Sequence, residues 1–356
     1  MPLVTSGMPP AGIGPDGQGG GRYNARLIAA RISPMAIQWF PGHMNKARRE
    51  LADKLEDIDV IIEMCDARLP MSSSNPMIAE LAAVRQRPQL KILNKQDLAD
   101  PAVTRQWIDW FAAQADTGAI ALDTSESNPR RKIIDAARAL VPNRVIEADR
   151  PLRLVVCGIP NVGKSTLINS LMGKKVAKTG NEPAITKSQQ RIQLSDSVVL
   201  YDTPGMLWPK IELERCGYAL AASGAVGRNA MDETVVALEL LALLMPRYPA
   251  ALLARYNLKA LPETDVLLFE EIGRRRGALR GGSIDEQKAA EVILNDFRDG
   301  RIGRLSLETP EEWQEMAAEI ARRREAERLA QEARRAARKH KRLAALDEEQ
   351  AGDDEA

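Results

Sequence analysis

Residues 158–165 read GIPNVGKS and follow a short apolar run at residues 152–157. The octapeptide fits the pattern GxxxxGK[ST], in which the backbone N–H groups of a glycine-rich turn close around phosphate oxygens. In that pattern Lys164 reaches the β- and γ-phosphates and Ser165 ligates Mg²⁺. A chance glycine-rich turn is the alternative, but every fixed position matches between a predicted strand and a predicted helix. The nucleotide-binding residues predicted in this stretch are Gly158, Asn161, Val162, Gly163, Lys164, Ser165 and Thr166.

The sequence around this motif alternates apolar runs with helical patterns from Met35 to about Gly205. Such alternation indicates a mainly parallel sheet covered by helices, with ligands at the carboxyl ends of the strands. After about residue 212 apolar residues recur at helical spacing and no strand pattern remains. We therefore predict an α/β P-loop domain at residues 35–210, a smaller all-helical domain at 211–310 and a charged helical tail at 311–356.

The N-terminal residues 1–34 are rich in Gly and Pro and are predicted to be a disordered extension. Because dense patterned sequence begins at Met35, one hypothesis is that Met35 is the natural start. A genuine flexible extension is the alternative.

The composition excludes several classes of protein. No run approaches the roughly 18 apolar residues of a membrane helix, and no charged-then-apolar signal opens the chain. The three cysteines are widely spaced, as reduced thiols of a cytosolic protein are, and two histidines argue against a histidine-based metal site. We expect a cytoplasmic protein without a membrane partner, and a monomer by default.

Residues 198–205, VVLYDTPG, read as a strand followed by DxxG. Asp202 is predicted to hold Mg²⁺ through water, and the Gly205 N–H to bond the γ-phosphate. Alone, DxxG usually marks a turn, so its weight comes from the phosphate motif beside it.

Residues 90–97, LKILNKQD, end another predicted strand with NKxD. An ionised Asp97 only accepts hydrogen bonds, so it pairs with the N1–H and exocyclic amine of guanine. Adenine lacks that N1–H and would leave the carboxylate unpaired, which is costly. The sequence therefore predicts GTP and GDP as ligands. The base-binding residues predicted are Asn94, Lys95, Gln96 and Asp97, with Asp123, Thr124 and Ser125 in a small-residue loop over the guanine edge.

The order of the motifs is unusual, because NKxD precedes the phosphate motif instead of following it. The same sheet can form if the old termini are joined and new ones are opened at the surface, which is a circular permutation. Asp97 and Lys164 should then grip one nucleotide. Since residues 202–205 lie near the exit into the helical domain, we expect that domain to move with the nucleotide state.

With this order the chain resembles the circularly permuted bacterial GTPases, in particular those that act in ribosome assembly. The resemblance covers about residues 35–310. It implies GTP hydrolysis, a role in late maturation of the large ribosomal subunit, and a helical domain that contacts ribosomal RNA. Besides the motifs above, it includes QWFPGHM at residues 38–44, DARLP at 66–70 and GRIGR at 300–304.

The resemblance also implies how hydrolysis is catalysed. Met206 stands where many small GTPases have a glutamine that orients the attacking water, so slow intrinsic hydrolysis and activation by a partner are expected. His43, in the PGHM motif, is the predicted catalytic substitute, since an imidazole can position water near neutral pH. The alternative is that His43 only caps the first helix.

Two ion-binding residues follow from the same resemblance. Asn161 matches a position that family members use with a bound K⁺, although Asn is also an ordinary turn residue. Thr186 is expected to close on Mg²⁺ as part of switch I. Ala184 stands where the family usually has Gly, which puts the flexibility of that switch in doubt.

A basic stretch at residues 322–342 lies beyond the resemblance and contains ten Arg or Lys and three Glu, a net charge of +7, although the whole chain has +1. A charge run is often only a solvated helix face. On a GTPase of this family it indicates salt-dependent contact with RNA phosphates.

The sequence as a whole predicts a GTP hydrolase that acts as a switch in large-subunit assembly, with the subunit stimulating hydrolysis. Two alternatives stay open: a constitutive RNA-binding assembly protein with a structural GTP site, and a GTPase that acts on another RNA such as a transfer RNA.

Overall fold

The computed structural model describes residues 49, 51–123, 126–172, 190–208, 211, 213–227 and 231–353. A six-stranded sheet has the order β3-β2-β1-β4-β6-β5, and its pairs are parallel except for the antiparallel pair β5 and β6. The predicted mainly parallel sheet is therefore confirmed. The strands are β1 (Val60–Asp66), β2 (Gln89–Asn94), β3 (Thr117–Ala121), β4 (Leu152–Gly158), β5 (Gln190–Ser195) and β6 (Val198–Asp202).

Helices cover the sheet, and three of them begin in the same way. Asn75, Asp100 and Asn128 each accept a hydrogen bond from the backbone of the first turn, and each is followed by a proline. Such side chains satisfy otherwise unpaired N–H groups, and proline fits the first helical position. The helices of this part are α1 (Pro76–Val84), α2 (Pro101–Ala112), α3 (Pro129–Ala139) and α4 (Lys164–Met172).

The central strand β1 fixes the relative position of the motifs. All seven of its residues are buried, as expected for a parallel strand covered on both faces. Its register sets Asp66 beside Asn94 of β2 and Met64 beside Gly158 of β4. The strand ends that carry NKxD and the phosphate motif therefore lie on either side of one strand, at the same edge of the sheet.

A helical region follows the sheet, as predicted, with one addition. A small antiparallel hairpin joins β7 (Leu279–Arg280) to β8 (Ser283–Ile284), so the region is not entirely helical. Strands of two residues are too short to show an alternating pattern. The helices are α5 (Glu214–Ser223), α6 (Glu233–Arg247), α7 (Pro249–Tyr256), α8 (Asp265–Arg275) and α9 (Glu286–Arg298). We use "helical region" for residues 213–309.

A long helix, α10 (Pro310–Asp353), continues into the basic stretch, as predicted. Near its start Trp313 packs against the apolar cluster around Trp107, whereas residues 321–335 are exposed. Within the described residues no single helix is long and apolar enough to cross a membrane. The bent pair α6 and α7 has the length and composition for it, but much of α6 is buried inside the protein.

Candidate functional site

The phosphate loop, residues 158–165, links β4 to α4 and needs three unusual backbone conformations. Gly158, Asn161 and Gly163 all have positive φ, at 144°, 57° and 104°. A Cβ on Gly158 would lie only 2.5 Å from the Met64 carbonyl oxygen, so the first glycine is required by packing as well as by conformation.

The base loop, residues 94–99, meets the phosphate loop directly. The Asn94 side-chain amide donates to the Val162 carbonyl at 2.8 Å. The contact is close enough that a Cβ on Gly163 would lie 2.3 Å from Asn94 Nδ2. The two motifs are 68 residues apart in the chain, but their loops are in direct contact at the end of the sheet.

The other residues of the base loop are arranged with Asp97 exposed. Lys95 has a positive φ of 63° and forms an ion pair with Asp66 at 2.9 Å. The Gln96 amide donates to Asp123 Oδ2 at 2.9 Å, which joins the end of β3 to the loop. The two small residues predicted over the guanine edge, Thr124 and Ser125, lie outside the described residues.

Lys164 is folded back onto its own loop. Its ammonium donates to the Gly158 and Ile159 carbonyls at 3.0 and 2.9 Å. Burial lowers the pKa of Lys164 to about 8, although Asp202 opposes the shift. Ser165 and Thr166 follow in the first turn of α4, where Ser165 is partly buried and Thr166 is exposed. Phosphate oxygens placed here would meet an ammonium and a helix N-terminus.

Asp202, at the end of β6, has the character of a metal-binding carboxylate. Its side chain is buried, and among the described residues its Oδ1 has no hydrogen-bond partner. Burial raises the pKa of Asp202 to about 6, while Lys164 lowers it. Mg²⁺ commonly uses only one or two carboxylates together with substrate phosphates, so this carboxylate and the Ser165 hydroxyl fit that ion. Thr186 lies outside the described residues.

The segment after Asp202 turns back over the phosphate loop. The Thr203 hydroxyl donates to the Val156 carbonyl at 2.9 Å. A Cβ on Gly205 would lie 3.1 Å from Lys164 Nζ, so the DxxG glycine lies close to the lysine of the phosphate motif. The DxxG segment and the phosphate loop are therefore in direct contact.

Met206, where a water-orienting glutamine would stand, points away from the site. Its side chain is buried in an apolar cluster beneath β1. Its N–H donates to the Gly158 carbonyl at 3.1 Å, and its carbonyl accepts from Asn75 Nδ2 at 3.1 Å. The backbone N–H and carbonyl of Met206 are both already hydrogen-bonded, and its side chain has no amide. Met206 therefore offers no group that could replace the glutamine. His43 lies outside the described residues.

Asn161 contacts the helical region. Its Nδ2 donates to the Gly224 carbonyl at 2.8 Å, just beyond the C-terminus of α5. The helical region thus touches the phosphate loop itself, in addition to following the DxxG segment in the chain.

The structure also brings together residues for which the sequence suggested no role. Asp66 and Arg68 of the DARLP motif lie behind Lys95, and Arg304 of the GRIGR motif donates to the carbonyls of Gln96 and Ala99. Both motifs were visible in the sequence, but Arg304 lies more than 200 residues from the base-loop carbonyls that it contacts, and Asp66 lies 29 residues from Lys95. Only the folded structure shows that they meet at the base loop.

A phosphate loop on a parallel strand, joined to an NKxD loop two strands away, defines a P-loop GTPase. A family model described as 50S ribosome-binding GTPase matches residues 153–245. Over 286 residues the chain is 44% identical to Ribosome biogenesis GTPase A of Priestia megaterium, which covers 78% of this chain and 98% of the relative. The chain belongs to the ribosome biogenesis GTPase A family, and it is a GTP hydrolase that binds guanine nucleotides.

A more distant relative is also a ribosome-associated GTPase, and a solved structure similar to this chain contains a bound nucleotide. Mitochondrial ribosome-associated GTPase 1 of Xenopus tropicalis is 33% identical over 76% of this chain and 94% of its own length. A crystal structure of GNP-bound YlqF from T. maritima has a TM-score of 0.54 at 26% identity and covers 75% of this chain and 99% of its own.

Proposed function

We propose that this GTPase is a molecular switch in late assembly of the large ribosomal subunit, and that the subunit stimulates its hydrolysis of GTP. The observation that carries the nucleotide part is the hydrogen bond from Asn94 Nδ2 to the Val162 carbonyl, because it joins the base loop and the phosphate loop. The ribosomal part is supported by family membership and by the model description, 50S ribosome-binding GTPase.

In this proposal the GTPase domain, residues 35–210, is circularly permuted. The base loop precedes the phosphate loop in the chain, yet β2 and β4 both flank β1 in the sheet. A helical domain at 211–310 and a charged tail at 311–356 follow. The bacterial relatives support a cytoplasmic location, where ribosomes are assembled.

The base would bind between the exposed Asp97 carboxylate and the Asp123 loop, with Lys95 and Asn94 against the phosphate loop. Gln96 ties the two base-binding segments together through Asp123. The phosphates would bind over the N–H groups of residues 158–166, where they recruit the Lys164 ammonium from the two carbonyls that it now contacts. The Gly205 N–H would bond the γ-phosphate.

Mg²⁺ would be held by the Ser165 hydroxyl and by Asp202 through water, with Thr186 closing from switch I. The buried, unpartnered Oδ1 of Asp202 supports this assignment. When bound, the ion neutralises developing charge on the phosphates.

Catalysis would depend on His43 and on the subunit, because Met206 is buried and offers no side-chain polar group to the attacking water. Asn161 would also bind a K⁺ ion. Its side-chain oxygen would coordinate the ion, while its Nδ2 donates to the Gly224 carbonyl. Equal turnover in KCl and NaCl would reject the K⁺ role.

The contact with RNA would involve the helical region and α10. Several of the tail's arginines pair with glutamates on the same helix, such as Arg328 with Glu325 and Glu332. Such exposed pairs contribute little, so phosphates can replace the glutamates at low salt. Deleting residues 320–356 should weaken subunit binding at low salt; unchanged binding would count against this contact.

The experiment that tests the function is multiple-turnover GTP hydrolysis with purified large subunits, small subunits, transfer RNA or no addition. We expect stimulation by large subunits alone. The variant His43→Ala should lose that stimulation while it keeps GTP binding. Stimulation by transfer RNA would support the alternative of another RNA target.

A second candidate function is a constitutive RNA-binding assembly protein whose GTP site is structural. The buried Met206 favours it, because the glutamine of active small GTPases is missing. Absence of stimulation by any RNA, together with tight GTP binding, would support this candidate over a switch.

A further inference from the structure

The base loop is held from behind by the helical region. The residues 300–308, which we name the return segment, follow α9 and lie along the loop. Arg304 donates to the carbonyls of Gln96 at 2.9 Å and Ala99 at 3.0 Å, and the Leu305 N–H donates to the Leu98 carbonyl at 2.9 Å. Three of the loop's carbonyls are therefore occupied by one segment from the far end of the chain.

A second connection passes through Arg68, which is buried with only 1% of its surface exposed. Its Nε and Nη2 bond both carboxylate oxygens of Asp66, at 2.9 and 2.8 Å. Its Nη1 donates to the Phe297 carbonyl at 2.9 Å, and the guanidinium lies 4.4 Å from the centre of the Phe297 ring. Arg68 thus connects the end of β1 to the last turn of α9.

Asp66 faces the nucleotide site through Lys95. One carboxylate oxygen, Oδ2, accepts both from Arg68 and from the Lys95 ammonium, the latter at 2.9 Å. Burial disfavours the charge on Asp66, but Arg68 and Lys95 outweigh it and lower its pKa well below the usual range. A charge-assisted contact of this kind fixes the direction of a long, flexible side chain.

We propose that Asp66 positions Lys95 against the bound nucleotide, and that Arg68 and Arg304 make this position depend on the helical region. The inference rests on the proposed role of the base loop in binding guanine. Whatever docks on the helical region would then change nucleotide affinity from the base side, through the return segment and α9, without a contact to the phosphates.

A purely structural role for the buried pair is the competing explanation, and the geometry argues against it. Arg68 already bonds both carboxylate oxygens of Asp66 without Lys95, and the Lys95 side chain is 24% exposed. Buried ion pairs also contribute little to net stability on average. The addition of Lys95 therefore needs a reason other than stability.

The test is a double-mutant cycle of Asp66→Asn and Lys95→Ala, read by the equilibrium affinity for GDP and for inorganic tripolyphosphate. We expect each single variant to lower GDP affinity about tenfold, the range of one charge-assisted hydrogen bond. Affinity for tripolyphosphate should stay unchanged, and the double variant should be no weaker than either single one. Equal losses for both ligands, or additive losses, would overturn the positioning role.

Arg304→Ala keeps the test decisive if Asp66→Asn does not fold, because Arg304 is exposed. It should lower GDP affinity several-fold, with tripolyphosphate unaffected. The control is Arg301→Ala, an exposed arginine of the same segment that pairs with Asp299 and Asp296 instead. Wild-type affinity in Arg304→Ala would overturn the dependence on the helical region. If Lys95→Ala itself binds GDP normally, the proposed base-binding role of Lys95 fails, which is a separate result.

Discussion

The base loop and the phosphate loop lie side by side, but their neighbours differ. The base loop is bonded through Lys95, Gln96, Leu98 and Ala99 to groups outside it, most of them near or in the helical region. In the phosphate loop the main cation, Lys164, is bonded to the loop's own carbonyls. If the two loops bind the nucleotide as proposed, the base side is shaped before the nucleotide arrives, whereas Lys164 on the phosphate side must exchange contacts to bind.

In the proposed function this difference would give the two sides separate tasks. A preformed base pocket loses little conformational freedom on binding and so favours affinity and selectivity. Contacts that change between free and bound states are the ones that can report which nucleotide is present. We use "joint" for the contact of Asn94 with Val162 and Gly163. We therefore expect substitutions on the phosphate side to change nucleotide binding most. Substitutions at the joint should change both nucleotide binding and stability.

The largest effect is expected for Lys164→Ala. Loss of the ammonium removes a charge-assisted phosphate contact, so GTP affinity should fall about 100-fold, or roughly 2.7 kcal/mol. Thermal stability should stay the same or rise, because burial disfavours the charge on Lys164. Calorimetric titration with GTP and a thermal melt measure the two. The control is Lys288→Ala, whose ammonium bonds Gly277 in the helical region; a parallel loss there would contradict the assignment.

Gly163→Ala should break the joint between the two sides. Its φ of 104° strains any other residue, and the new Cβ would collide with Asn94 Nδ2. We expect a loss of about 1–3 kcal/mol in the free energy of unfolding and roughly tenfold weaker GDP binding. Gly281→Ala is the matched control, since it has a positive φ of 57° with open space around it. Comparable loss of GDP binding in both variants would refute the importance of the joint.

The affinity for GTP in the presence of Mg²⁺ should depend on pH through two groups of the phosphate side, Asp202 and Lys164. The pKa of Asp202 is raised to about 6, so below pH 6 the carboxyl is protonated and the metal site weakens. The pKa of Lys164 is lowered to about 8, so above pH 8 the ammonium loses its charge. Affinity should therefore be highest between pH 6 and 8 and fall by up to about tenfold per pH unit beyond it.

Phosphate itself titrates near pH 6, so the acidic limb needs a control. In the variant Asp202→Asn the phosphate still titrates, but the carboxyl is absent. The fall of GTP affinity below pH 6 should therefore be shallower in this variant than in the wild type. An identical limb would show that Asp202 is already ionised at pH 5.

The smallest effect is expected for Asn75→Ser. Serine keeps a cap for α1 but is too short to donate to the Met206 carbonyl, which Asn75 reaches at 3.1 Å. The free energy of unfolding should drop by about 1 kcal/mol, the typical value of one hydrogen bond, in urea denaturation. GDP affinity should not change, since the contact lies behind the site. If Asn75→Ser changed the free energy of GDP binding more than the free energy of unfolding, the contact would not lie behind the site.

Much of the fold could be predicted because its signals are local. The strands of the sheet appear as apolar runs, the helices α1 to α3 begin with a cap and a proline, and the phosphate and NKxD motifs directly follow strands. The helical region was predicted from the helical spacing of its apolar residues.

The connections around the site could not be predicted, because they join residues far apart in sequence. Arg68 contacts Phe297 at a separation of 229 residues, and Arg304 contacts Gln96 at 208. Neither contact leaves a periodic pattern, and either arginine could equally have been a solvated surface residue. Even Met206 was read only as a missing glutamine, since its inward packing depends on strands β1 and β4.

The Gly158 carbonyl has a consequence for how loading of the site could be observed. It accepts from both the Lys164 ammonium and the Met206 N–H, so two segments share one oxygen. A nucleotide that draws the ammonium away leaves that oxygen to the Met206 amide alone. The Met206 amide proton should then exchange with solvent more slowly in the loaded protein, which gives a local reporter of occupancy at a residue that never touches the ligand.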